Sequence, residues 1–161
     1  MNQYLTFYVG GEEYAVTIVK VTEIIECVSL TYVPGTPPWI RGVLNLRGAV
    51  VPVVDLAVKF GLPATTLTRR TCVVMVEIDL EHDGERMVLG MMADSVHQVI
   101  ELAPDQIQPP PSFGPKVRVD CISGMGISAE ALIVLLDIDR VLSSAEILTA
   151  SVAEGAVAAA S

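Results

Sequence analysis

The residues of this chain with a capacity for chemistry are few and scattered. His82 stands in the turn-like "EHDGER" and His97 in "DSVHQVIEL", and neither has a serine, cysteine or carboxylate at a spacing that makes a nucleophile–base pair. The three cysteines, Cys27, Cys72 and Cys121, form no CxxC pair, so zinc and redox sites are not indicated and the thiols read as buried packing. Asp55 and Asp137 each end an apolar run, "VVDL" and "LLDI". Both read as helix N-caps whose carboxylates accept orphan backbone N–H groups. No catalytic, metal or cofactor site is therefore expected. What remains is a pair of fixed cations, Arg41 and Arg47, in "IRGVLNLRGAVVPVVDL". Guanidinium is the chemistry of carboxylate and amide recognition, not of turnover.

The charge balance narrows the partners. Ten Lys and Arg stand against 19 Asp and Glu, a net charge of -9, which disfavours nucleic acid and docking on anionic lipid. Aromatic residues make up only 5%, too few for a stacking platform. Hydrophobic residues reach 52% and mean hydropathy is +0.55, yet the long uncharged stretch from Cys27 to Ile40 is broken by Pro34, Pro37 and Pro38. No membrane span is expected there, and "MNQYLTFYV" lacks the basic start of a signal peptide. The expectation is a cytoplasmic protein that spends its apolar residues on tight cores and on contact surfaces.

The elements that must position the arginines read mainly as short strands: 4–9, 30–34, 41–48, 50–56, 72–80 and 87–92, with Asp83-Gly84 marking a tight hairpin. The methionines of "MVLGMM" read as barrel filling. Ile18, Val21, Ile24 and Ile25, and again Val96, Val99 and Ile100, recur every three or four residues, which predicts two short helices. Those segments belong to an internal repeat. Val21, Ile24, Ile25, Glu26 and Pro34 reappear 75 positions on, and Gly42 and 53–56 reappear 82 positions on. Two copies of this kind suggest twin small barrels side by side, the first over about 10–80 and the second over about 85–142, with strand 4–9 able to join the second. Residues 1–150 would form the folded domain, closing on a C-terminal helix that Ser143 and Glu146 begin as a capping box. Residues 151–161 read as a frayed or disordered tail.

On a regular strand, Ile40, Leu44 and Leu46 would face the core while Arg41, Val43, Asn45 and Arg47 share the outer face, a mixture typical of a contact surface. Two alternatives stand beside this. Arg47 pairs with a nearby acid such as Glu23, or a bulge at Gly42 breaks the alternation.

The blocks "VGGEEYAVTIVKVTEII", "VPGTPPWIRGVLNLRGAVVPVVDLAVKFGL", "RMVLGMMADSVHQVIEL" and "ISGMGI…LIVLLDIDRVL" resemble the CheW family of bacterial chemotaxis coupling proteins, from about Tyr4 to Leu142. The resemblance implies a fold of two five-stranded SH3-like barrels around a shared apolar core, with no enzymatic activity and no cofactor. It implies an adaptor in a two-component system, joining the coiled-coil cytoplasmic tips of chemoreceptors to the regulatory domain of the histidine kinase CheA. Such a protein would be cytoplasmic and recruited to membrane-bound receptor arrays. By the same resemblance Arg47 is the expected receptor contact, joined by Val21, Glu23, Gly42 and Val96; the strand alternation adds Arg41, Val43 and Asn45 as an extension of the face. The alternative is an adaptor of the same architecture in a chemotaxis-like pathway governing surface motility or another output.

Overall fold

A computed structural model describes residues 2–26, 29–79, 86–110, 121–129 and 131–142. Its strands are β1 (Asn2–Val9), β2 (Glu12–Thr17), β3 (Val21–Glu26), β4 (Ile40–Leu46), β5 (Ala49–Asp55), β6 (Cys72–Asp79), β7 (Arg86–Ala93), β8 (Ser95–Leu102), β9 (Ile107–Gln108), β10 (Ile122–Ser128) and β11 (Ala131–Leu136). Two single-turn helices, α1 (Leu56–Lys59) and α2 (Ile138–Val141), follow β5 and β11. The Asp83-Gly84 turn, His82, Cys27, the Ser143–Glu146 cap and the C-terminal tail lie outside the described residues.

One sheet runs β3-β6-β7-β5-β4 and the other β8-β1-β2-β11-β10-β9. The two orders are copies of each other: β8 takes the place of β3, β1 of β6, β2 of β7, β11 of β5 and β10 of β4. Each has one parallel pair at the same place, β5 with β7 and β11 with β2. The repeat read from the sequence is therefore structural, but the division of the chain differs from the expected one. β1 joins the sheet formed by the C-terminal half, an option already open to strand 4–9, but β2 joins it as well, and β7 belongs with the first sheet. The strands alone show no such exchange, because a strand's partners lie far away in sequence.

The two segments expected as helices are strands. A 3-10 turn at Ile18–Lys20 leads directly into β3, and Val96 to Ile100 lie in β8. The three-and-four spacing arises because register breaks fall between Val21 and Glu23 in β3 and between Thr6 and Phe7 opposite β8. A bulge shifts the apolar residues out of strict alternation, and the result imitates helical periodicity. Residues 30–34 likewise form no strand; Thr31 alone makes an isolated bridge to Val43.

Three apolar clusters hold the fold. The largest lies between the sheets and takes Leu5, Phe7 and Val16 from one, Val54, Val74, Val76 and Met91 from the other, and Leu56 and Ile138 from the helices. Val53, Val73, Met75 and Met92 fill the first barrel, and Ala15, Leu102, Ile133 and Leu135 the second. Successive residues of β6 thus serve different cores, so both faces are buried and the strand reads as one apolar run. This two-sided burial accounts for the high hydropathy, and it places Met91 and Met92 as filling on opposite faces of β7. Cys72 and Cys121 differ from the expected buried thiols: both are half-exposed, because they stand at or beside strand starts where the cores end.

Each sheet curls until its edges meet. Past β3 the chain returns to β4, where Thr31 and Val43 exchange N–H···O bonds of 2.9 Å in both directions. Past β8, β9 pairs with β10 in the corresponding way. Gly42 makes the first closure possible. A Cβ at this position would stand 2.5 Å from the Thr31 carbonyl oxygen, and its backbone has φ 153°.

Both strand-ending aspartates cap the following helix, as expected, but at different depth. The fully buried Asp55 carboxylate accepts from Ala57 N–H (3.1 Å), Thr65 N–H (3.0 Å), Thr65 Oγ1 (2.8 Å) and Arg41 Nη1 (2.8 Å). That set saturates its acceptor sites. Asp137 is partly exposed and accepts a long bond from Arg140 N–H, at 3.4 Å, beside the Arg140 Nε at 3.6 Å.

Two expectations follow. Asp55→Ala strands a half-buried guanidinium and two loop donors, so it should cost about 3 kcal/mol, whereas Asp137→Ala should cost only about 1 kcal/mol. Urea midpoints at constant m-value measure both, and equal losses would contradict the anchoring role of Asp55. Gly42→Ala should cost about 1–3 kcal/mol through forced separation of the seam. Amide exchange at Thr31 and Val43 should accelerate with it, and unchanged protection there would show that the close approach is not a constraint.

Candidate functional site

Arg47 does not sit on the strand. β4 ends at Leu46, which pairs with Ala49, so Arg47 and Gly48 form the two-residue turn to β5. Both have positive φ, 50° and 88°. That is the geometry of a tight hairpin turn matched to strand twist. The Asn45 side-chain oxygen accepts the Gly48 N–H at 2.8 Å and fixes the turn. Asn45 is thus a support of Arg47 as well as an exposed polar group.

The Arg47 guanidinium reaches across the closed seam to Glu23 on β3, with Nη2 2.6 Å from Oε1 and Nη1 3.4 Å from Oε2. β3 and β4 are opposite edges of the same sheet, so this ion pair is a side-chain clasp over the closure that Thr31 and Val43 make in the backbone. The hydrogen bond from Arg47 holds the Glu23 carboxyl below its ordinary value, so the clasp is charged at neutral pH. The Arg47 side chain remains 73% exposed. Its other guanidinium donors have no partner among the described residues.

The seam gathers most of the residues singled out in the sequence. Glu23, Gly42, Val43, Asn45 and Arg47 all lie along it, and Val43 and Asn45 also line a shallow cleft of about 350 Å³ with Ile25 and Leu30. Val21 begins β3 and Val96 lies near the start of β8, so they come from different sheets. Both are half-buried and lean on the apolar layer between the sheets.

Arg41 is the exception. Its Nη1 donates to Asp55 Oδ2 and to the Thr65 carbonyl, each at 2.8 Å, so its fork is turned inward to the anchor of the long loop. The expectation that Arg41 and Arg47 share one outer face is corrected here. The register break between Ile40 and Gly42 reverses the faces of β4. Ile40 consequently packs in the layer between the sheets, while Leu44 and Leu46 pack in the barrel.

Two apolar residues were missed as surface features. Ile24 is 42% and Val99 50% exposed, on the edge strands β3 and β8 of the two sheets. They are repeat-equivalent, which was visible in the sequence, but a helical reading turned them toward a core. His97 is held at the surface by Glu13 (2.8 Å) and Tyr8 (3.3 Å), a satisfied polar contact. Among the described residues no group of three His, Cys, Asp or Glu could hold a metal ion, and no helix is long and apolar enough to cross a membrane.

Comparison with known proteins accords with this arrangement. A family model described as the CheW-like domain matches residues 3–146. Chemotaxis protein CheW of Klebsiella aerogenes is 37% identical over 145 residues, which cover 90% of this chain and 84% of that protein. Chemotaxis protein CheW of Helicobacter pylori is 31% identical over 140 residues, covering 87% and 81%. The crystal structure of the scaffolding protein TtCheW from Thermoanaerobacter tengcongensis matches with a TM-score of 0.75 and 28% identity, covering 88% of each chain. The family model over residues 3–146, with relatives matched over most of both chains and a solved structure of the same duplicated, mainly β fold, identifies the chain as a member of the CheW-like family.

Proposed function

We propose that this protein is a non-enzymatic scaffold that couples chemoreceptors to the histidine kinase CheA in chemotaxis signal transduction. The observation that carries this reading is Arg47: an exposed guanidinium held by a rigid turn and an acid clasp beside exposed apolar side chains on the barrel edge. Relatives matched over most of the chain are chemotaxis proteins, and the matched crystal structure is that of a scaffolding protein. An output in surface motility is not favoured, since those relatives share the chain nearly throughout.

In this reading the receptor's coiled-coil tip seats over the seam and the ground between the two edge strands. Val21 and Val96 would supply apolar contact there, and Glu23 and Gly42 would act through the clasp and the closure. Arg47 gives register through charge-assisted hydrogen bonds to carboxylate or amide groups of the helix. Because Glu23 uses only part of the guanidinium fork, Arg47 can be held in place and still donate outward. Val43 and Asn45 extend the face, whereas Arg41 acts on it only through the Asp55 anchor. The kinase's regulatory domain would meet the protein barrel against barrel, so that a receptor change biases the kinase through bridged rigid bodies. Modest single contacts would then be reinforced by repetition in the array. The protein would work in the cytoplasm, recruited to membrane-bound receptors.

The test is co-sedimentation of the full chain and CheA with receptor-containing membranes, together with kinase activity. Arg47→Ala should keep the wild-type melting profile and weaken receptor binding about tenfold or more, as a hot-spot arginine does. Unchanged binding and unchanged kinase control in a folded variant would remove Arg47 from the mechanism.

A further inference from the structure

The cations among the described residues point to a second part of the docking face. Lys20, Arg41, Arg47, Arg86 and Arg140 each stand within ion-pair distance of a carboxylate, and Lys59 lies 4.2 Å from the centre of the Trp39 ring. Arg69 and Arg70 differ. They are consecutive and exposed, and their side chains have no hydrogen-bonding or ion-pair partner among the described residues. In a chain of net charge -9, two adjacent cations with no carboxylate at ion-pair distance among the described residues are not a solvated average of the surface.

Their position is defined. The loop that carries them is pinned at one end by Thr65 on buried Asp55. Near the other end Thr68 N–H donates to Thr71 Oγ1 (2.9 Å), Arg70 N–H to Thr68 Oγ1 (3.1 Å), and Thr71 Oγ1 to the Thr66 carbonyl (3.2 Å). The backbone under both arginines is therefore ordered before any partner arrives, which lowers the entropy lost on binding. Arg69 and Arg70 line a cleft of about 410 Å³ that joins the sheets: Tyr8, Val96 and His97 come from one side and Glu26 from the other. Val96 makes this cleft continuous with the proposed coupling face, and Leu67, 47% exposed, adds apolar surface on the same loop.

We infer that Arg69 and Arg70 bind carboxylates on the receptor segment that seats against Val96, forming a specificity-determining electrostatic rim of the coupling face. The inference rests on the receptor-coupling reading and names the chemistry of the partner: a protein segment with neighbouring acidic side chains beside an apolar one. A long polyanion fits poorly, because Glu26 lines the same cleft and the whole chain repels it. A short acidic patch gains both forks at close range, where screening is weakest.

The experiment uses the full-length protein and chemoreceptor-containing membranes, with sedimentation at about 50 and about 300 mM salt. The variants are Arg69→Ala/Arg70→Ala and Arg69→Glu/Arg70→Glu, with Arg47→Ala alongside. The alanine pair should keep the wild-type melting temperature, lower affinity about tenfold at low salt and lose most of the salt dependence; the glutamate pair should bind more weakly still. If both pairs bind with wild-type affinity and salt slope while Arg47→Ala loses binding, the rim is overturned and the coupling reading stands. If the wild-type protein does not sediment with receptor, both are overturned.

Discussion

The apolar layer between the two sheets is the constraint from which the rest follows. It takes side chains such as Phe7 and Leu5 from one sheet and Val74, Val76 and Met91 from the other. A strand that gives alternate residues to this layer must bury the remaining ones elsewhere, or leave Val53, Val73 and Met75 facing water. At roughly 25 cal/mol per Å² of apolar surface, leaving that second face open would forfeit several kcal/mol. Each sheet therefore curls over a small core of its own, and curling brings its edge strands together. The seam is the consequence of two-sided burial.

The seam is also where the candidate site lies. A backbone closure at Thr31 and Val43 needs a residue without a side chain opposite it, which Gly42 supplies. The Glu23–Arg47 clasp crosses the same line a few residues further on. Structural and functional residues thus lie side by side along this edge. Glu23 holds the barrel's cation in place, and the cation remains mostly in solvent, available to a partner. Arg41, only six positions earlier on the same hairpin, serves the opposite purpose by neutralising the buried Asp55 carboxylate. The register break beside Gly42 turns Arg41 inward, and the positive-φ turn carries Arg47 outward.

Duplication explains why the scaffold has two edge strands with related surfaces. β3 and β8 occupy the same place in their sheets and expose Ile24 and Val99 at repeat-equivalent positions. The copies have diverged where local burial differs: Asp55 lies under a long threonine-rich loop that brings Arg69 and Arg70 to the cleft, while Asp137 caps its helix near the surface. A rigid body with exposed cations at two places suits a protein whose work is contact.

By itself the sequence determined the strand-rich class, the internal repeat, the capping roles of Asp55 and Asp137, and the pairing of Arg47 with an acid as one of two open alternatives. These depend on local pattern: β-branched runs, Gly and Pro punctuation, and an aspartate at the end of a strand. It left strand 4–9 able to join the second barrel but assigned β2 and β7 to the wrong copies, because β2 finds its parallel partner only when the C-terminal half folds against it. Bulges hid β3 and β8, since one extra residue turns a period of two into something close to a helical one. The direction of each arginine was likewise decided in three dimensions. A side chain at a turn with positive φ, or one beyond a register break, obeys the closure of the barrel and not the alternation of its strand.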